Sequence, residues 1–222
     1  MTAKYTSNKP QPFLWFLTGI FTLVLIFSQK TQVQAEIFHL NPEAAYGMVT
    51  GTTDSKSLSV VYLDAESNLI LIRPGIALGY GQNGEYRYTM VNPRIGAEFG
   101  LLDYKLRCFE TYQIRIVSET NGVTHTFSGF ALGIGGEWKI SEMLTFEGEY
   151  YLPQSAAYFR NGNLNNSAHP SLEYWKVGAR LTPLPLVSIT FDYRKSGADA
   201  GLGGDNYQTD LNSYGLGVRV GL

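Results

Sequence analysis

Phe127-Ser-Gly-Phe-Ala-Leu-Gly-Ile-Gly-Gly-Glu-Trp-Lys-Ile-Ser-Glu-Met-Leu-Thr-Phe-Glu-Gly-Glu-Tyr-Tyr-Leu152 places apolar residues on every second position through two segments joined by Ser141-Glu142-Met143. Phe130, Leu132, Ile134, Trp138 and Ile140 share one face of the first segment, and Ala131, Gly133, Gly135, Glu137 and Lys139 share the other. In the second, Leu144, Phe146, Tyr150 and Leu152 alternate with Thr145, Glu147, Glu149 and Tyr151. This period of two belongs to an antiparallel hairpin with one apolar face. Pairing Ile140 with Leu144 brings Trp138 to Phe146 and Ile134 to Tyr150 on that face. Behind it, Gly133 meets Tyr151, Gly135 meets Glu149 and Glu137 meets Glu147, so small groups mostly face large ones. We read the apolar face as lipid-facing and the polar face as the inside of a narrow barrel.

The same alternation runs outward from the hairpin. Leu58, Val60 and Tyr62 alternate with Ser59 and Val61, Asp64 to Asn68 reads as a turn, and Leu69 to Tyr80 continues as a strand. Pro74-Gly75 interrupts it, which implies an edge or bulge. Tyr86 to Phe99 leads through a turn at Gly100 to Asp103 into Tyr104 to Val117. Matching Phe99 with Tyr104 sets Glu98 against Lys105 and Gly96 against Arg107. The pattern breaks at Phe109-Glu110, where a bulge is expected. Tyr174 to Leu181 pairs with Leu186 to Arg194 across Pro183-Leu184-Pro185, with Lys176 facing Asp192, Tyr174 facing Arg194, Val177 facing Phe191 and Trp175 facing Tyr193. The chain ends on Tyr214, Leu216, Val218, Val220 and Leu222 in alternation. Residues 36 to 56 carry the weakest pattern, with a weak strand at Ala45 to Val49.

The chain opens with Lys4 and Lys9, an apolar run from Phe13 to Ser28, and Val33-Gln34-Ala35, which are the three regions of a signal peptide. Cleavage is expected after Ala35, with a retained anchor as the alternative. Removing residues 1–35 takes away Lys4, Lys9 and Lys30 and no acid, so the formal charge moves from −2 to −5. Nothing basic remains to suggest nucleic acid. The single cysteine, Cys108, excludes an internal disulfide framework and reads as a small apolar strand residue. Beyond the leader no apolar run is long enough for a spanning helix, so any insertion must use strands. The expectation is all-β: one domain, 36–222, forming a transmembrane antiparallel up-and-down β-barrel of about ten strands. Eight is the alternative if residues 36–63 form a plug or arm.

Two regularities separate a membrane barrel from a soluble sandwich. Short turns (64–68, 100–103, 141–143, 183–185) alternate with generally longer polar loops, as when two rims face different compartments. Aromatic residues also gather at both ends of the apolar face. Phe99, Tyr104, Trp138 and Phe146 lie beside short turns, and Phe130, Trp175 and Tyr193 beside long loops, as in interfacial girdles. A sandwich would have to bury the charged face or expose the aromatic one.

Gly129-Phe-Ala-Leu-Gly-Ile-Gly-Gly-Glu-Trp138, Leu144-Thr-Phe-Glu-Gly-Glu-Tyr-Tyr-Leu-Pro153, Val177-Gly-Ala-Arg-Leu-Thr-Pro183 and Val187-Ser-Ile-Thr-Phe-Asp-Tyr-Arg194 together resemble the C-terminal half of the YfaZ-type outer-membrane proteins. The resemblance covers the chain from about Gly129 to the end. It implies a small porin-like barrel in the outer membrane, with no catalytic residue to carry over. The terminal strand is similar to the insertion signal read by the outer-membrane assembly machinery, but departs from it in ending on Leu222.

The inward candidates are Arg73, Arg94, Glu98, Lys105, Arg107, Arg115, Glu137, Lys139, Glu147, Glu149, Lys176, Arg180, Asp192, Arg194 and Arg219, a basic excess. A barrel this narrow is filled by its side chains, so the first reading is a packed ionic core and the second an anion-favouring conduit for a small solute or ion. Glu137 and Glu147 oppose one another and need a cation from across the lumen or a shared proton. A lipid-modifying hydrolase would have to use His125 with Ser128, or His169 with Ser171, near the loop rim. Surface binding would use loops Pro153 to Ser171 and Ser196 to Asn212, with Tyr158, Phe159 and Tyr207 as contacts. No Cys/His or clustered Asp spacing suggests a metal, and no cofactor is expected. The outcome is a non-enzymatic barrel whose partners are outer-membrane lipids.

Overall fold

The computed structural model describes residues 38–50, 55–69, 72–201 and 207–221; the expected cleavage site and Leu222 lie outside them. The strands in chain order are β1 (Phe38–Thr50), β2 (Ser55–Ser67), β3 (Arg73–Gln82), β4 (Tyr86–Leu101), β5 (Tyr104–Glu119), β6 (Thr124–Lys139), β7 (Leu144–Pro153), β8 (Ala157–Arg160), β9 (Asn163–Leu164), β10 (Ser171–Leu184), β11 (Val187–Asp199) and β12 (Gln208–Gly221). All pairings are antiparallel. β1 pairs with both β2 and β12, and β5 with both β4 and β6, so ten strands close into a barrel. β8 and β9 form a small hairpin above the wall, where β8 pairs with the upper end of β6. Closure leaves the wall without a free edge.

The hairpin that decides the fold has the register read from its alternation: Trp138 opposite Phe146, Ile134 opposite Tyr150, Gly133 opposite Tyr151 and Glu137 opposite Glu147. The polarity of the barrel is inside out. Arg94 and Glu137 are buried, whereas Ile95, Ile134, Val177, Phe191 and Leu216 are about half exposed on the outer wall. A barrel in lipid requires this distribution, because its outer face meets hydrocarbon.

Several expectations are corrected. β1 is a full strand rather than a weak segment, which removes the eight-strand alternative with residues 36–63 as a plug. β2 runs through the expected turn at 64–68, because Asp64 and Glu66 point inward onto arginines instead of ending the strand. Pro74 lies beyond the last β2–β3 pair, Glu66 with Gly75, and the β2–β3 register runs without a bulge. No bulge occurs at Phe109-Glu110 either, since the β5–β6 register is continuous from Tyr104 to Ser118. Phe109 turns inward over two glycines and Glu110 turns out, an inversion of polarity rather than of geometry. Two hairpins are shifted by two residues. Phe99 pairs with Leu106 around a tight turn in which Leu102 takes φ 54°, and Val177 pairs with Tyr193.

The two ends differ in chemistry more than in loop length. At the end where β1 begins and β12 ends, called the terminus end, the four turns carry exposed Leu69, Ile72, Leu101, Leu102, Ile140, Met143, Leu184 and Leu186. At the other end, joints 83–85 and 120–123 are equally short, against the expected asymmetry, but are made of Asn, Gly, Glu, Thr and Val. Asn161 and Gly162, both at positive φ, form the tip of the β8–β9 hairpin in the conformation that Asn-Gly favours.

Glu110 is the odd residue of the outer wall. It is exposed between Ile95 and Leu132, one outward position below Tyr112. Glu110→Leu is therefore expected to raise stability in lipid vesicles by about 1 kcal/mol, read as a higher urea midpoint. An unchanged midpoint would show that the carboxylate reaches water past Tyr112.

Candidate functional site

The interior has two storeys. In the half nearer the termini, inward positions of all ten strands of the wall converge on a network of ion pairs. Arg94 donates through Nη2 to Asp64 Oδ1 and Glu66 Oε2, both at 2.8 Å, and lies 3.5 Å from Glu149 through Nη1. Arg73 binds Glu66 at 2.8 Å and also Glu98. Lys176 lies 2.9 Å from Glu147 and 3.3 Å from Asp192. Arg194 binds Glu43 and, at 2.8 Å, Asp192, with its guanidinium 4.1 Å above the Tyr62 ring. Arg107 approaches Glu137 at 3.4 Å and Glu149 at 3.5 Å.

This network is balanced. Arg73, Arg94, Lys105, Arg107, Lys176, Arg180, Arg194 and Arg219 are matched by Glu43, Asp64, Glu66, Glu98, Glu137, Glu147, Glu149 and Asp192. The expected basic excess is thus corrected. Glu43 lies in the strand whose pattern was weakest, and Asp64 and Glu66 carry a turn-like sequence. Their inward parity with Tyr62 was the available signal. Arg115 lies higher and is neutralised differently, donating to the carbonyls of Glu173 and Gly197 at 3.1 and 2.9 Å and to Gln113 Oε1 at 2.8 Å. Lys139 is exposed at the mouth, and Lys105 is half exposed there while 3.4 Å from Glu98.

Glu137 and Glu147, opposite one another, share a cation. Arg180 donates to Glu137 at 2.8 Å and to Glu147 at 3.4 Å, while Arg219 stands 4.0 Å from Glu137 and 3.2 Å from His39 Nδ1. The shared guanidinium removes the need for a shared proton.

The storey away from the termini is apolar and aromatic. Val49, Leu58, Val60, Tyr88, Met90, Val117, Tyr174 and Leu211 form one cluster, and Phe127, Tyr158, Leu172, Ala198, Ala200 and Tyr207 a second beneath β8. Hydrogen bonds cross the lumen between the storeys: Tyr62 with Ser213 at 3.2 Å and Tyr88 with Ser196 at 2.7 Å. Beside Arg73, Arg94 and Arg107 a cavity of about 10 Å³ remains, enough for a single water.

The remaining candidates are placed as follows. His125 faces inward, bonded through Nδ1 to the Tyr158 hydroxyl at 2.7 Å and stacked on Tyr207 at 3.4 Å. Ser128 shares the opposite, outward parity, so this pair is not brought together. His169 and Ser171 are both exposed. Tyr158 and Tyr207 are buried under the β8 hairpin rather than offered as surface contacts, and Phe159 is half-buried. Phe99, Tyr104, Trp138, Phe146, Trp175 and Tyr193 all belong to the outer wall. Tyr104 stacks on Trp138 at 5.9 Å near the termini, and Trp175–Tyr193–Tyr214 form a row at 5.0 Å spacing at the other level. Cys108 is a half-buried free thiol on the same face.

No protein-family model matches the chain, and no curated protein matches it. Among solved structures the outer membrane protease OmpT from Escherichia coli is similar, with a TM-score of 0.55 at 8% identity over 88% of this chain and 100% of that one. Neisserial surface protein A gives 0.44 at 13% identity, over 83% and 97% of the two chains, and the NanC porin 0.44 at 15%, over 82% and 100%. At such identities the likeness is one of fold. The chain has the closed antiparallel architecture of outer-membrane β-barrels.

Proposed function

We propose that this chain is a small integral outer-membrane protein whose barrel is a filled, structural element rather than an open pore. The single observation that carries this is the interior: eight cations matched by eight carboxylates, roofed by apolar clusters, with room for about one water in the cavity between the arginines. Export with cleavage near Ala35, insertion by the assembly machinery through the C-terminal strand, and contact with outer-membrane lipids belong to this reading. So does membership of the YfaZ-type family, which rests on the motifs between Gly129 and Arg194. The absence of enzymatic activity is part of the proposal, supported by His125 being held between Tyr158 and Tyr207 while Ser128 points away.

The purified full chain in planar bilayers tests it. A flat current trace at ordinary salt is expected, because ions cannot pass an apolar layer of buried Phe127, Tyr158 and Leu172. Discrete, reproducible conductance steps would replace this reading by a narrow conduit. A second reading, recognition at the surface, is favoured by the ordered β8–β9 hairpin, which Asn161 ties to β6 by accepting from the Thr124 amide at 2.8 Å.

A further inference from the structure

The four turns at the terminus end are chemically out of place for water. The β2–β3 joint carries exposed Leu69 and Ile72, which exchange both backbone hydrogen bonds, at 2.9 and 3.0 Å. Leu102, 90% exposed, occupies a left-handed conformation that a leucine adopts at a cost, although Gly, Asn or Asp would suit both the backbone and water better. Each of the four turns carries two exposed apolar side chains, so apolar groups recur at every turn of this rim.

We propose that this end is submerged in the phospholipid leaflet on the side of the termini, its turns resting among acyl chains instead of standing in the aqueous compartment. The inference rests on the membrane-barrel reading and deepens it. Three observations select lipid as the occupant. A protein partner would cover one sector, whereas all four turns carry exposed aliphatic side chains, with Asp103 and Glu142 as the charged exceptions. The opposite rim, with Asn83-Gly84-Glu85 and Asn121-Gly122, shows that this chain builds polar turns of the same length where it needs them. On β5 the climb from Tyr104 to Tyr112 along a tilted strand is about 21 Å, and exposed Leu101 and Leu102 at the β4–β5 turn continue that apolar wall below the lower aromatic level.

The test uses the full chain carrying Cys108→Ala, with single cysteines introduced one at a time as Met143→Cys, Leu186→Cys, Ile134→Cys and Gly84→Cys. Each is reconstituted in phosphatidylcholine nanodiscs, where both faces are open to reagent, and reacted with a water-soluble maleimide. β-Sheet circular dichroism verifies folding, and labelling in urea normalises the rates. Positions 143 and 186 are expected to react about tenfold more slowly than position 84, since a maleimide confined to water meets them rarely. A rate like that of position 84 at either turn overturns the proposal. Position 134 separates the two readings. If it is protected while the turns react fast, only the submerged rim is lost. If it also reacts fast, the membrane-barrel reading fails as well.

Discussion

Arg94→Ala is expected to destabilise the barrel by about 3–5 kcal/mol, enough to prevent refolding into lipid vesicles under mild conditions. Its side chain is 4% exposed and contacts Asp64 and Glu66 on β2 and Glu149 on β7. The loss is unequal among these carboxylates. Glu66 keeps Arg73 at 2.8 Å and Glu149 keeps Arg107 at 3.5 Å, whereas Asp64 has Arg94 as its ion-pair partner among the described residues. An unpaired buried carboxylate is the costly species, so Arg94→Met with Asp64→Asn should recover much of the loss, and more than Arg94→Met with Glu66→Gln does. Arg94→Lys should fall between, because an ammonium cannot present the planar fork whose Nη2 meets Asp64 and Glu66 while Nη1 approaches Glu149. Urea midpoints of the reconstituted variants decide the matter. A change below about 1 kcal/mol for Arg94→Ala would mean that the network is solvated and the lumen wet, which would also weaken the filled-barrel reading.

What was legible in the sequence follows from what alternation can and cannot encode. Which face a residue takes depends on parity alone, so Arg94, Glu137, Glu149, Lys176 and Arg194 are placed inward by counting. A shift of two residues leaves parity untouched, and this is the error at the β4–β5 and β10–β11 hairpins. There the register depends on the turn, and neither a left-handed Leu102 nor the irregularity between Leu181 and Leu184 has a local signature. The β6–β7 hairpin was readable in full because its glycines and large groups meet in complementary pairs, which a shifted register would break. Asp64-Ala-Glu-Ser-Asn68 was misread for a different reason. Its composition favours a turn in isolation, and the ion pairs with Arg73 and Arg94, from strands elsewhere in the wall, hold it extended.

The division into storeys was hidden more deeply. Inward polar residues suggest a charged lumen throughout, but Leu58, Val60, Met90, Phe127 and Leu211 also have inward parity, and outward Ser128, Thr126 and Asn212 replace apolar residues at the same height. Above the aromatic level of Tyr112 and Phe130 the barrel moves toward the rule of soluble proteins, apolar inside and increasingly polar outside, with Ile114 and Ile116 still facing out. Below it the rule is inverted. A single sequence shows the switch in strands such as β6 once the height of each residue is known, and height requires the tilt and stagger of the closed barrel.

Gly133→Ala, the smallest possible side-chain addition, is expected to cost about 3 kcal/mol. The added Cβ would fall inside the ring of Phe109, which lies flat against the wall in a slot made by Gly133 on β6 and Gly96 on β4. The ring cannot retreat, since Tyr151 meets it edge-on at 5.2 Å and the Arg94 guanidinium stands 5.7 Å from its centre. Moving Phe109 therefore disturbs the ionic storey as well as the packing, which places the effect at the upper end for an overfilled core. Gly135→Ala is the control on the same strand and face: its Cβ would meet the flexible Glu149 side chain and the Gly148 carbonyl at 3.3 Å, and a cost below about 1 kcal/mol is expected. Phe109→Ala alone should leave a cavity and cost about 3–5 kcal/mol. In Phe109→Ala with Gly133→Ala the new methyl enters that cavity, so the pair should be less destabilised than the sum of the singles by about 2 kcal/mol or more. Equal costs for Gly133→Ala and Gly135→Ala, or additivity in the double variant, would show that the ring does not occupy the glycine slot. The inward turn of Phe109, on which the continuous register of β5 depends, would then be wrong.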